Sequence, residues 1–194
     1  MTELSPITPS TSALLVMDLQ PSITGRLPDG DAFVAEVRRA RDAARSAGLT
    51  VAYVRVALSE DDVAGVPSRN PAFSVAAASG QLADGDPGTA IHSGISPADG
   101  EIVVRKSRVG AFSTTDLREQ LQAKGIDTLI LTGISTSGVV LSTVRDAADR
   151  DFRVVVLHDG VADGDAEVHR VLTEKVFPRQ AQVTDIDTFI TAIS

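Results

Sequence analysis

Short apolar runs that alternate with stretches of helical periodicity constrain this chain more than any other feature. ALLVMDL (13–19) is apolar on both faces and breaks only at Asp18, as a central parallel strand should. Phe33, Val37, Ala40, Ala44 and Ala47 then recur at helical spacing and stop at Gly48. TVAYVRVAL (50–58), EIVVRK (101–106), DTLILTG (127–133) and FRVVVLHD (152–159) read as further strands, and AQVTDIDTFITAI supplies a last short strand and a terminal helix. Between them, an S/T-x-x-D start at Ser113 and Asp116 predicts a helix running to Lys124–Gly125, with others over 138–150 and 164–177, the last ended by Pro178. The pattern is that of βα units, and it predicts a Rossmann-like, three-layer α/β/α fold around a central, mostly parallel six-stranded sheet.

With 194 residues the chain has room for one well-buried core, so a single domain over 1–194 is expected, with residues 1–11 a flexible amino-terminal segment. Residues 58 to 100, rich in Gly, Pro, Ser and Asp, are too long for a bare connector and predict a cover over a site or a subunit contact. MTELSPITPSTSA lacks the basic start and apolar stretch of a secretory signal, and no run approaches a membrane span, so a cytoplasmic protein without membrane partners is expected. The net charge of -8, with no basic run to offset it, argues against nucleic acid. Cysteine is absent, which excludes disulfides and thiolate catalysis. Three scattered histidines (His92, His158, His169) without HExxH give no reason to expect a metal, and no cofactor is expected.

In an open parallel sheet the ligand crevice lies at the carboxyl ends of the strands, where strand order reverses. That rule selects Asp18 after the first strand, Lys106 after the third, the Gly133–Gly138 loop after the fourth and Asp159 after the fifth. Singly, each has a duller reading: a turn or cap for Asp18, a solvated basic edge for Lys106 between Arg105 and Arg108, and helix capping for Ser135, Thr136 and Ser137. Their convergence on one edge makes the candidate site. No GxSxG elbow, GxxxxGK[ST] loop or GxGxxG turn competes with it, and no serine in a suitable turn accompanies His158 and Asp159 as a relay.

At these residues the chain resembles the isochorismatase-like superfamily of cysteine hydrolases. LLVMDLQ (14–20), VVRKSRVGAFSTTDL (103–117) and LILTGISTSGVVLSTVRDAADRDFRVVVLHDGVAD (129–163) are similar to its three blocks, which place the family's Asp on Asp18 and its Lys on Lys106. Most relatives have a cysteine where this chain has Val139. The resemblance also implies a non-proline cis peptide at Ile134–Ser135, and helix amino-terminal amides within 135–140 facing a substrate oxygen. Valine has no nucleophilic atom, so a thioester route cannot run through residue 139. Ser137 and Thr136 are poor replacements, having no identifiable histidine base.

The resemblance therefore implies a hydrolase of a small molecule that acts without a cysteine, by acid catalysis on a vinyl ether as in isochorismatases, with Asp18 the proton donor and Lys106 orienting it. Lys106 should lower the Asp18 pKa and burial should raise it, so the mechanism requires burial to win or a bound anion to assist. Arg69, Arg105 and Arg108 are candidates to grip a carboxylate, Gln20, Phe73 and Phe112 to line the pocket, and Ile134, Ser135 and Gly138 to contact substrate. Alternatives are an inactive small-molecule binding homologue and an amidase whose cysteine Val139 has replaced. A homo-oligomer, dimer or tetramer, is expected from the family.

Overall fold

A computed structural model describes residues 4–194. Six parallel strands form the middle layer: β1 (Ser12–Met17), β2 (Thr50–Val56), β3 (Ile102–Lys106), β4 (Thr128–Ile134), β5 (Arg153–Ala162) and β6 (Gln182–Thr184), in the order β3-β2-β1-β4-β5-β6. The sheet is thus wholly rather than mostly parallel. β1 and β4 lie at its centre and are buried at every position, which is why their sequences carry no polar alternation. β3, at the edge, buries Ile102, Val104 and Lys106 while exposing Val103.

Helices cover both faces. In chain order they are α1 (Pro21–Thr24), α2 (Gly30–Ser46), α3 (Glu60–Ala64), α4 (Pro71–Ser79), α5 (Leu117–Ala123), α6 (Leu141–Ala148), α7 (Ala166–Val171) and α8 (Ile186–Ile193). Because strand side chains alternate, Ala13, Leu15 and Met17 of β1 pack with Leu117 and Leu121 of α5, Val144 and Ala147 of α6, and Phe177. Leu14 and Val16 face the other way, onto Val37, Ala40 and Ala44 of α2 and Ile186 and Phe189 of α8. These two apolar layers make the three-layer architecture.

Three local expectations change. The Ser113–Asp116 capping box does not form, and α5 begins only at Leu117: Ser113 donates to the Gly110 carbonyl, Thr114 Oγ1 accepts from the Ser107 amide, and Thr115 donates to the Ala111 carbonyl. These hydroxyls tie down the loop behind Lys106 instead of starting a helix. β5 does not end at Asp159 but bulges against β4 and runs on to Ala162. Asp159 accepts from the Ile186 amide and so holds the start of α8, away from the strand-end cluster. The predicted 164–177 helix is α7 followed by a wide π turn, Leu172–Val176, and a 3-10 turn, Phe177–Arg179, that contains Pro178.

Of the amino-terminal segment, residues 1–3 lie outside the described residues; further on, Ile7 is buried and Arg153 donates to the Ser5 and Pro6 carbonyls. The 58–100 segment carries its own short elements. Ser59 and Asp62 cap α3 reciprocally, Asn70 caps α4, and Gly80 ends it in a left-handed conformation. Phe73 of α4 packs with Val56 and Leu58 in a small apolar cluster of their own, which lays α4 near the carboxyl end of β2. Among the described residues no helix is long and apolar enough to cross a membrane.

Candidate active site

The order of the strands reverses between β1 and β4, and the site is built at their carboxyl ends. The chain leaves β1 at Asp18 with φ 57°, a left-handed conformation that Asp tolerates better than most residues, and the Asp18 amide donates to the Val54 carbonyl at 2.8 Å. That turn buries the carboxylate at the sheet edge. Lys106, last residue of β3, is 2% exposed, and its Nζ lies 2.8 Å from Asp18 Oδ2. Nζ also donates to the Arg108 and Val109 carbonyls, at 3.1 and 2.9 Å. An ammonium has three protons, so Lys106 is saturated by the protein itself.

Asp18 Oδ1, by contrast, is buried with no hydrogen-bond partner. Burial pushes the Asp18 carboxyl up to about 6, against the opposing charge and hydrogen bond of Lys106. Desolvation wins over the ammonium, as an acid catalyst at this position requires.

On the other side of the switch point, Gly133 of β4 has φ 141°, and a Cβ there would sit 2.2 Å from the Met17 carbonyl oxygen. Only glycine lets β4 pass this close to the residue before Asp18. A cis peptide joins Ile134 to Ser135, and the chain then makes a π turn, Thr136–Val140, before α6. Of the amides expected to face a substrate oxygen, three have partners within the protein. Ser137 N–H and Oγ both donate to Asp163 Oδ2, at 2.8 and 2.7 Å, and the Gly138 and Val140 amides donate to the Ser135 carbonyl.

Thr136 Oγ1 lies 2.9 Å from His169 Nδ1. The structure thus pairs a loop hydroxyl with a histidine, which sequence reading missed because His169 lies on α7, far along the chain. Thr136 is fully buried, however, and does not line the cavity that holds Asp18.

That cavity has a volume of about 490 Å³. Asp18, Lys106, Ile134, Ser135, Gly138 and Val139 line its charged end and its β4 side. Ile23, Leu27, Val109 and, from the 58–100 segment, Phe73, Ala76 and Leu82 make apolar walls. Two other depressions, of about 500 and 620 Å³, lie beside His92 and beside Glu119, and neither contains a buried acid–amine pair. Among the described residues no group of three or more acidic or histidine side chains is placed to hold a metal ion.

Several candidates lie elsewhere. Gln20 is not among the lining residues: its amide donates to the Val56 and Thr89 carbonyls and accepts from the Val56 amide, each at 2.8 Å, so it clamps the end of β2 to the covering segment. Phe112 belongs to the core, stacked on Phe152 with ring centroids 6.0 Å apart. Arg69 is exposed and does not line the cavity. Arg105 is ion-paired with Asp62, which its hydrogen bond holds down at about 2, and Arg108 stands over the Phe73 ring, 5.3 Å from its centroid. The cavity's own arginine is Arg26, just after α1, which the sequence analysis did not single out.

With this geometry in place, comparison with known proteins is informative. The sequence pattern described as the isochorismatase domain matches residues 12–188. The chain is 32% identical over 186 residues to YecD of Escherichia coli O157:H7, an isochorismatase family protein, covering 94% of this chain and 96% of that one. It is 30% identical to the ureidoacrylate amidohydrolase RutB of Methylobacterium radiotolerans, covering 95% of this chain and 80% of the relative. Among solved structures, a cysteine hydrolase from Pseudomonas syringae superposes with a TM-score of 0.87 at 25% identity, covering 98% of this chain and 95% of the other.

Proposed function

The chain belongs to the isochorismatase family, and on that premise we propose that it hydrolyses a small enol ether by proton transfer from Asp18, with no covalent intermediate. The observation that carries this reading is the asymmetry of the acid–amine pair. Lys106 has no proton left for a substrate, whereas Asp18 keeps one unpartnered oxygen and a pKa of about 6. A carboxylic acid held in that range exchanges a proton readily near neutrality. Val139, at the family's nucleophile position, leaves the proton as the reactive element of the site.

In the proposed reaction the Asp18 acid protonates the terminal enol-ether carbon, and the ether oxygen stabilises the resulting oxocarbenium ion. Water adds to the oxygen-bearing carbon of that ion and returns a proton to the carboxylate; the hemiketal then breaks into a keto compound and an alcohol. Lys106 fixes Oδ2, so that Oδ1 is the oxygen that gives and regains the proton.

The test is release of pyruvate from isochorismate across a pH series. Acid catalysis by Asp18 predicts a kcat/KM that falls as pH rises through about 6. Absence of turnover, or turnover unaffected by Asp18→Asn, overturns the reading. Val139 also favours a second one, a pocket that binds small molecules without transforming them; saturable binding in calorimetry with silence across a panel of hydrolase substrates supports it.

A further inference from the structure

The cavity holds three ionisable side chains: Asp18, Lys106 and Arg26. The first two neutralise one another when Asp18 is ionised, at an Oδ2–Nζ separation of 2.8 Å. Arg26 has no ion pair or side-chain hydrogen bond among the described residues, whereas Arg41, Arg45, Arg55, Arg105, Arg150 and Arg170 each grip a carboxylate. The cavity therefore carries an uncompensated positive charge in a chain whose net charge is -8. It gains a second when Asp18 takes up a proton.

We propose that Arg26 selects the substrate: the cavity takes a small anion whose carboxylate pairs with the Arg26 guanidinium, while its apolar body lies between Ile23, Leu27 and the Phe73 and Leu82 walls and its reacting end lies at Asp18. A planar guanidinium meets a carboxylate with two parallel N–H donors, so it orients the ligand as well as attracting it. Arg69, Arg105 and Arg108 cannot serve in its place. Arg69 is outside the cavity, Arg105 is paired with Asp62, and Arg108 is stacked on Phe73 and donates to the Ser107 carbonyl. Arg26 follows the Gly25 cap of α1, and the Arg26 amide donates to the Ile23 carbonyl, which places Arg26 and an apolar wall residue on one turn of chain.

This assignment rests on the cavity being the substrate site, but it is independent of whether Asp18 performs acid catalysis, and the test keeps the two apart. The probes are 2-phenoxypropanoate, a saturated analogue that cannot undergo enol-ether protonation, and the neutral 2-phenoxypropanamide, each titrated calorimetrically into the full chain. The wild type should prefer the carboxylate by about tenfold, the scale of one charge-assisted contact at an exposed site. Arg26→Ala should abolish that preference with the amide's affinity unchanged, and Arg26→Lys should recover part of it. Arg26 is exposed, so neither variant endangers folding. Equal affinity of the wild type for both probes, no binding of either, or a preference that survives in Arg26→Ala overturns the proposal. A preference that disappears in Arg26→Ala, in a protein that shows no enol-ether hydrolysis, leaves the assignment standing and removes only the acid-catalysis reading.

Discussion

The two sides of the cavity's charged end differ in how fully they are assembled. At the ends of β1 and β3, Asp18 and Lys106 are buried, 2.8 Å apart, and all of the ammonium's protons have protein partners. Across the switch point, the turn after β4 keeps the close approach at Gly133 and its internal hydrogen bonds, but presents a branched aliphatic side chain at residue 139. On the proposed mechanism one side is complete for moving protons; the other has a frame without a nucleophile. The contrast suggests a way to separate proton transfer from nucleophilic attack, because the polar contacts of the pair come from the ends of β1 and β3 and from the Arg108 and Val109 carbonyls, not from residue 139. Exchanges confined to one side should then leave the other working.

The largest expected effect is on the proton-transfer side. Asp18→Asn removes the transferable proton while keeping shape, so enol-ether hydrolysis should fall by about 10²–10⁴-fold, the scale of general acid catalysis. Binding of 2-phenoxypropanoate should persist. Steady-state kinetics on isochorismate and calorimetry on the analogue check the two halves of that statement. A fall in binding as steep as the fall in rate would show that Asp18 organises the cavity rather than reacts in it.

Lys106→Met tests the same side through stability. Removing the amine leaves a buried carboxyl with neither oxygen paired by it, and also frees the Arg108 and Val109 carbonyls. Breaking a buried pair from one side costs about 3–5 kcal/mol, partly relieved here if Asp18 takes up a proton. Urea unfolding should show that loss near pH 8 and a smaller one near pH 5. A loss independent of pH would mean that the carbonyls, not the carboxylate, are what Lys106 stabilises.

The pH dependence of the wild type follows with its sign. Burial raises the Asp18 pKa from 3.8 to about 6, so between those values the folded state binds more protons than the unfolded one. The contribution is fully present below about 3.8 and is lost as pH rises through about 6, for a total of about 3 kcal/mol at most. Carboxylates with lowered pKa values, such as Asp62, act in the opposite direction. The informative quantity is therefore the difference in unfolding free energy between wild type and Asp18→Asn across that window. That difference should shift steadily against the wild type as pH rises, and a flat difference would contradict the raised pKa.

Much of the proton-transfer side was legible in the sequence, because strand ends can be counted: an apolar run that stops at Asp18 and another that stops at Lys106 meet at one edge by the topology of a parallel sheet. The outer layers of the cavity were not legible. Gln20, Phe112 and Arg69 have the chemistry of binding residues, but what each does depends on partners remote in sequence, namely the Val56 and Thr89 backbone for Gln20 and the Phe152 ring for Phe112. Arg26 escaped notice for the same reason, since nothing local distinguishes an arginine facing a cavity from one facing water. Asp159 was misplaced because a bulge has no signature in a run of valines: β5 continues past it and turns its carboxylate to the start of α8.

Val139→Cys probes the other side and should perturb the fold least. The exchange trades one small buried apolar side chain for another and should cost about 1 kcal/mol. Residue 139 lines the cavity together with Asp18, so a thiol there would have a carboxylate of pKa about 6 as its base, ionised at neutral pH. The variant should gain hydrolysis of simple amides with a thioester detectable by mass spectrometry, and its rate should rise with pH through about 6, because the carboxylate must now accept a proton rather than supply one. The enol-ether profile proposed for the wild type runs the opposite way, so the two proteins would show opposed pH profiles from the same acid. If the variant stays silent on amides while its thiol is still alkylated by iodoacetamide, the β4 side lacks more than sulfur. The engaged Ser137, Gly138 and Val140 amides would then be the first place to look, since donors already paired within the protein cannot stabilise an oxyanion.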